Sequence, residues 1–391
     1  MRSTFFGLEI GRRGLQAQQC ALEVTGHNIA NANTPGFTRQ EAVMSTTTPF
    51  PVPSLNRPAG AGQMGTGVEV NTIRRLRDSF LDFQMRSESR SLGYWEAQRD
   101  VLMKIEGIVN EPSESGLRPV MEKFWTALEE LGKDPESLAA RSLVVERGQS
   151  LAEAFNHLDT QLCELTNDLN STLRVRVDEV NSLGRQIADL NQQILKVEVT
   201  GARANDLRDK RDLLVDKLAK TIDIRITEDE HSALTITTSG RPLVQGEMAS
   251  ELVVDDMDQS YSEIYWADDP PENRLPLAVT GGIIRGIIDA RGYRDGDEVK
   301  GFIPAFSKQL DKLVQQFTGA FNAIHQDGYD LDGVQGVSFF INREDSDNND
   351  ITAGSIAVNN VLINDPCKVA AALPDEDGTF NTGDGSNALK L

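Results

Sequence analysis

Between Leu151 and Val197 an apolar residue returns every three or four positions without a break: Leu151, Phe155, Leu158, Leu162, Leu165, Leu169, Leu173, Val177, Val180, Leu183, Ile187, Leu190, Ile194 and Val197. This is the period of one face of an α-helix. With a start signal at Asp134-Pro135-Glu136 and a stop at Gly201, the stripe predicts one helix from about Ser137 to Val199. At the ordinary rise per residue it would be on the order of 90 Å long. A compact globule has little use for such a helix, so the chain is expected to build a coiled coil or an elongated bundle.

Candidate partners lie on both sides. Val120, Phe124, Trp125, Leu128 and Leu131 share one side of a short helix over Gly116–Leu131. Leu76, Phe80, Phe83, Leu102, Ile105 and Ile108 suggest a long helix beginning near Ile73, interrupted in pattern by the polar stretch Ser87–Ser91. Asn205–Thr221 reads as a helix with Leu207, Leu213, Leu214 and Leu218 inward. From Val299 to Ile324 a clean stripe of Phe302, Phe306, Leu310, Leu313, Phe317 and Phe321 looks like the return leg, antiparallel to the helix that starts near Ser137. Between these, Ile222-Asp-Ile224-Arg-Ile226 and Leu234-Thr-Ile236-Thr alternate by two, and Ser239-Gly240-Arg241-Pro242 is a turn. The fold class expected is therefore mainly α with a β-rich insertion: an elongated antiparallel helical bundle, a small β domain and an irregular, β-containing C-terminal region. The division expected is 1–72, an N-terminal helix and extended segment; 73–221, the first part of the bundle; 222–285, the β insertion; and 286–391, the return helix and C-terminal region.

The N-terminus carries a second, narrower pattern. Leu8, Leu15, Leu22 and Ile29 recur every seven residues, while Gly11, Gly14, Gln18 and Thr25 between them are small or polar. Roughly twenty-five residues of such a helix bury little by themselves, so the seam is expected to gain order from a partner. Asn31, Asn33, Thr34, Pro35 and Gly36 stop it, and Thr-Pro-Gly suits a type II turn with Pro35 and Gly36 at its centre. Phe37–Met44 is a strand candidate, Ser45–Gly67 a loop or extended hairpin, and Gly65–Val70 leads into a returning strand.

Composition narrows the function classes. The chain has 391 residues, a formal net charge of −21 and a pI near 4.6, which argues against a nucleic-acid partner. Between Glu228 and Glu272 only Arg241 opposes a run of acidic residues, so this segment is expected to face solvent. Cys20, Cys163 and Cys367 are too scattered for a disulfide framework or a metal knuckle, and Cys20 and Cys163 read as packing residues in helices. No apolar run is long enough to insert in a membrane, and the N-terminus lacks the pattern of a cleavable secretory signal. His27, His157, His231 and His325 stand apart in sequence, no phosphate loop or nucleophile elbow is present, and no catalytic residue, cofactor or metal is expected. Asp345–Asp350 has the oxygen spacing that opens a calcium loop, but Asp350 stands where glycine is required and Ile356 where a bidentate Glu belongs, so it reads as a solvated turn.

The run Gly26-His27-Asn28-Ile29-Ala30-Asn31-Ala32-Asn33-Thr34-Pro35-Gly36-Phe37 resembles the N-terminal signature shared by the axial proteins of the bacterial flagellum. Phe124–Leu128 with Asp134–Ser137 and Arg141, Val180–Leu183 with Ile187–Ile194, and Ala204–Leu214 narrow this to the FlgK family, the hook-associated protein of the hook-filament junction. The resemblance implies a non-enzymatic structural subunit, secreted and located in the extracellular flagellum. It implies as partners the flagellar hook protein, a second hook-associated junction protein, further copies of the chain and the export apparatus. The implied assembly interface is the seam Leu8, Leu15, Leu22 and Ile29 with His27, Asn28, Asn31, Asn33, Pro35, Gly36 and Phe37. The family also ends in a second amphipathic helix that pairs with the first, and the sequence stops at Asn387–Leu391, where that helix is expected to begin. A hook or distal-rod component would share the first forty residues but not the long helix, and a secreted calcium-dependent adhesin or hydrolase would have to use the Asp-rich C-terminal region.

Overall fold

In the computed structural model, which describes residues 5–50, 62–109, 116–229, 232–255, 261–296, 298–344, 350–374 and 381–391, the long stripe is one uninterrupted helix and the fold is mainly helical with small antiparallel sheets. The helices are α1 (Phe6–Ala30), α2 (Ser79–Val109), α3 (Leu117–Lys133), α4 (Leu138–Glu198), α5 (Asn205–Thr221), α6 (Gly282–Arg291), α7 (Phe302–Asp327), α8 (Asn360–Asn364) and α9 (Ser386–Lys390). The strands are β1 (Gln40–Thr46), β2 (Val68–Arg75), β3 (Arg225–Glu228), β4 (Leu234–Thr238), β5 (Arg241–Gln245), β6 (Met248–Ala249), β7 (Leu252–Asp255), β8 (Glu263–Trp266), β9 (Tyr293–Asp295), β10 (Glu298–Lys300), β11 (Phe340–Asn342) and β12 (Ile356–Val358). The chain divides into two packed units. One is drawn from residues up to Trp95 with Arg174–Asp255 and Glu263–Arg285, the other from Glu96–Leu173 and Gly286–Leu391 with Tyr261 and Ser262.

In the first unit the C-terminal part of α4 is covered by β structure. The sheet runs β3-β4-β5-β6, all antiparallel, beside the β7-β8 hairpin. Two buried amides of α4 complete the strand bonding: Asn181 exchanges two hydrogen bonds of 2.8 Å with the backbone of Leu252, and Asn191 bonds the backbone of Leu234 and Gly246. A helix residue thus satisfies sheet groups that would otherwise be buried without partners.

In the second unit α3, the first part of α4 and α7 enclose an aromatic core. Ile303 and Asp311 of α7 line one groove with Leu162 and Thr166, while His325 at its other end feels the charge of Arg141, so α7 runs antiparallel to α4 as the stripe implies. Phe124, Phe339 and Phe340 are fully buried, and their rings and that of Phe321 lie 4.9–6.0 Å apart. Asn322 pairs with both backbone groups of Phe340 and holds β11 to α7.

Several expectations are corrected. Ile73 does not open a helix: it belongs to β2, which pairs with β1 through Arg75, and α2 begins only at Ser79, where Asp78 accepts a hydrogen bond from the Phe80 N–H. Alternation from Val68 carries on past Ile73, and pairing decides in its favour. Nor does α2 bury its apolar residues as a simple stripe. Val101 and Ile105 are buried, but Phe80, Leu81, Phe83, Met85, Leu92, Trp95, Leu102 and Met103 are exposed. The β insertion expected to run to 285 ends earlier, because α6 begins at Gly282. Gly282 has φ +82°, and a Cβ there would stand 2.6 Å from the Thr221 carbonyl oxygen, so the close approach of α6 to the end of α5 requires glycine. Val299 lies in the β9-β10 hairpin, not in α7. Cys163 and Trp125 are exposed. His231, the break at Glu111–Ser113, residues 51–61 of the 45–67 connection and Asp345–Asn349 of the calcium-like stretch lie outside the described residues.

His325 is fully buried. Its Nε2 accepts from the Ala370 N–H at 3.0 Å, so Nδ1 carries the proton and donates to the Val337 carbonyl at 2.6 Å. Burial, reinforced by Arg141 and opposed by the Val337 bond, lowers the imidazole pKa to about 4. The unfolded chain, with a pKa of 6.5, takes up the proton first. Stability from this group is therefore complete above pH 6.5 and is lost as pH falls toward 4, by a total of about 3 kcal/mol. Urea unfolding as a function of pH is expected to show this loss, and the His325→Gln variant is expected to be flatter over the same window.

Candidate functional site

The N-terminal helix has two faces with different fates. Ala17 and Val24 are buried at the interface with the β1-β2 hairpin, and Ile10, Arg13, Gly14, Cys20, Ala21 and Asn28 are half-buried on the same side. The segment entering β2 packs directly on this side: a Cβ on Gly67 would touch Arg13 at 3.4 Å and the Ile10 Cα at 3.7 Å. On the opposite face Leu8, Leu15, Leu22 and Ile29 are 71–73% exposed. The inner stripe corrects the expectation that α1 depends wholly on an outside partner. It escapes a count on leucine because Ile10, Ala17 and Val24 are interleaved with glycine, arginine, cysteine and asparagine.

The signature after the seam is a joint. Asn28 makes a paired bond with the backbone of Gln40, each contact 2.8 Å, in the manner of an added strand residue. Asn31 caps α1, its backbone and side chain both donating to the His27 carbonyl at 3.1 Å, and accepts from the Thr34 hydroxyl. The Phe37 N–H then bonds the Thr34 carbonyl and Gly36 has φ +81°, which closes the Thr34-Pro35-Gly36-Phe37 turn as type II. Phe37 meets the His27 ring edge to face at 5.3 Å, and a side chain on Gly36 would press on Leu213. Asn33 and Pro35 are exposed.

The joint is fixed to α5, whose importance a count of leucines does not reveal. Its buried face mixes charge with apolar packing: Arg208, Asp209, Arg211 and Asp212 are buried beside Val215, Leu218 and Ala219, so Leu218 lies inward as expected, whereas Leu207, Leu213 and Leu214 are only half-buried. Asp206 lies 3.3 Å from the His27 Nε2 and accepts from the Gln40 amide at 2.7 Å. Asp209 accepts from the Thr38 N–H at 2.8 Å and from Arg75 at 2.8 Å, while Asp212 accepts from Arg75 at 2.7 Å. Asn205 bonds the Ile73 carbonyl at 2.9 Å. Arg208 grips Glu198 at the end of α4 with two bonds of 2.7 and 2.8 Å. Burial alone would raise the Glu198 carboxyl, but the bonds from Arg208 and from the Ala204 N–H outweigh it and bring its pKa down to about 2. The usable sequence signal was the spacing of Asp206, Asp209, Asp212 and Asp216, three or four apart on one helix face.

Comparison with known proteins gives the family. The family model for the helical domain of the flagellar hook-associated protein FlgK matches residues 102–340, and that for the flagella basal body rod protein matches residues 8–38. Flagellar hook-associated protein 1 of Bacillus subtilis is 36% identical over all of this chain and 80% of its own length. That of Salmonella typhimurium is 30% identical over 84% of this chain and 58% of its own. A solved structure of the flagellar hook junction protein FlgK from Burkholderia pseudomallei shares the fold with a TM-score of 0.54 at 23% identity, over 66% of this chain and 46% of that one. The chain belongs to the flagellar hook-associated protein FlgK family.

Proposed function

We propose that this chain is a structural, non-catalytic subunit of the bacterial flagellum that joins hook to filament by axial self-assembly. The observation that carries the reading is the outer face of α1: four large apolar residues at seven-residue spacing, 71–73% exposed, on a helix whose inner face is already bound to the β1-β2 hairpin. Such a row is costly to leave in water and forms a ready seam for another helix. The joint of His27, Asn28, Asn31, Pro35, Gly36 and Phe37 fixes that helix on β1 and α5, so load on the seam passes into packed structure. Asn33 is proposed to meet a neighbour from its exposed position in the turn. The partners inferred are the hook protein below, a second hook-associated protein above and further copies of the chain around the axis. Delivery to the extracellular flagellum would be by the flagellar export apparatus.

Removal of residues 1–40 would also cut the Asn28-Gln40 and Thr38-Asp209 bonds, so it tests folding as much as assembly. Outward substitutions separate the two. Leu15→Glu with Leu22→Glu is expected to leave stability within about 0.5 kcal/mol per site and to abolish incorporation at hook ends in cells lacking the native chain. Normal filaments on such cells would refute the seam.

A further inference from the structure

Within the first unit, β2, the start of α2, α5 and β3 surround a cleft of about 820 Å³. Six arginines line it, Arg75, Arg77, Arg86, Arg90, Arg211 and Arg225, against the three carboxylates Asp82, Asp212 and Glu228. Asp209 and Asp216 also pair with Arg75, Arg77 and Arg86, so six arginines face five carboxylates, an excess of one positive charge in a chain of net charge −21. Arg75 and Arg77 are matched by Asp82, Asp209 and Asp212. The others are not fully matched. Arg211 is 1% exposed, yet its Nε has no hydrogen-bond partner. Arg86 donates through Nε to Asp216 at 2.6 Å, but its buried Nη2 makes no hydrogen bond, the Asp212 oxygen lying 3.6 Å away. Arg90 and Arg225 form no ion pair among the described residues.

A buried guanidinium N–H without an acceptor is costly, and native structures fill such vacancies with an oxyanion or water. Guanidinium groups select planar or tetrahedral oxyanions, which accept two bonds at once. Phe83, Ala219, Ile224 and Ile226 add apolar walls beside the charge. The cleft is also larger than a single phosphate needs. We infer that this cleft is an oxyanion-binding site, built to take the carboxylates of an acidic peptide segment with its aliphatic side chains against the apolar wall.

The test is calorimetric titration of the 391-residue chain with two probes, a short capped Glu-Glu-Leu-Glu-Glu peptide and inorganic phosphate. The native chain is expected to bind the peptide. Arg225→Gln, on an exposed position of β3, and the double variant Arg90→Gln with Arg225→Gln are expected to bind about tenfold more weakly, the loss of a charge-assisted hydrogen bond. Their thermal midpoints without ligand should match the native one, and Arg118→Gln, which is not among the residues lining the cleft, should bind as the native chain does. Binding of phosphate but not peptide, with the same variant sensitivity, keeps the oxyanion site and removes the peptide as its occupant. Binding of neither probe, or binding unaltered in Arg225→Gln and in the double variant, overturns the inference.

Discussion

Asp212→Ala is expected to destabilise the first unit by about 3–5 kcal/mol, the range for removing one partner of a buried ion pair. Asp212 sits among three arginines, accepting from Arg75 at 2.7 Å and lying 3.4 Å from Arg77 and 3.6 Å from Arg86. Its own side chain is 11% exposed, so water does little to screen the charges left behind. Arg75 would keep Asp209, and Arg86 would keep Asp216 at 2.6 Å. The group would nevertheless hold three guanidinium ions with one fewer acceptor, and the cost is set by that excess more than by the lost contact. Asp212→Asn preserves shape and one acceptor, and should cost less. The exposed pair Arg74–Glu41 provides the contrast: Glu41→Ala is expected to change stability by less than about 1 kcal/mol, although the geometry is comparable at 3.2 Å. Urea titration followed by circular dichroism checks all three. Equal losses at Glu41 and Asp212 would mean that burial does not govern this network.

The same network explains why parts of the fold were legible in the sequence and others were not. The stripe from Leu151 to Ile194 located α4 within a residue or so at each end, because a long helix flanked by chain breaks has few competing readings. The Thr34–Phe37 turn followed from proline and glycine alone, since their backbone limits act locally. For α5 the helix itself and Leu218 on its inward face were readable, but the charged part of that face was not. A rule that looks for apolar residues cannot see a face on which Asp209 and Asp212 are neutralised by Arg75 of β2, more than a hundred residues earlier in the chain. Ile73 failed for a related reason. Its assignment to strand depends on Ala42, its partner across a connection that sequence alone leaves open. At the candidate site the outer row was visible because leucine marks it, and the inner stripe was hidden because Ile10, Ala17 and Val24 stand among glycine, arginine, cysteine and asparagine.

Phe124→Ala should be as damaging to the second unit, at about 3–5 kcal/mol. Phe124 is fully buried, with ring centroids at 5.4 Å from Phe321, 5.9 Å from Phe339 and 6.0 Å from Phe340. These rings come from α7 and from the segment around β11, so the side chain ties α3 to structure some two hundred residues away. Truncation removes the transfer free energy of the ring and the tilted and edge-on ring contacts, and it leaves a cavity that three large neighbours, each held by its own backbone, can close only in part. Phe124→Leu fills most of that space and should lose less than half as much. The decisive comparison is the next residue. Trp125 has the larger side chain and an equal place in the apolar pattern, yet it is 42% exposed. Trp125→Ala is therefore expected to cost about 1 kcal/mol or less. If thermal or urea unfolding ranked the tryptophan above the phenylalanine, the aromatic core would have to be centred on the other face of α3, and the antiparallel packing of α7 against α4 would be wrong with it.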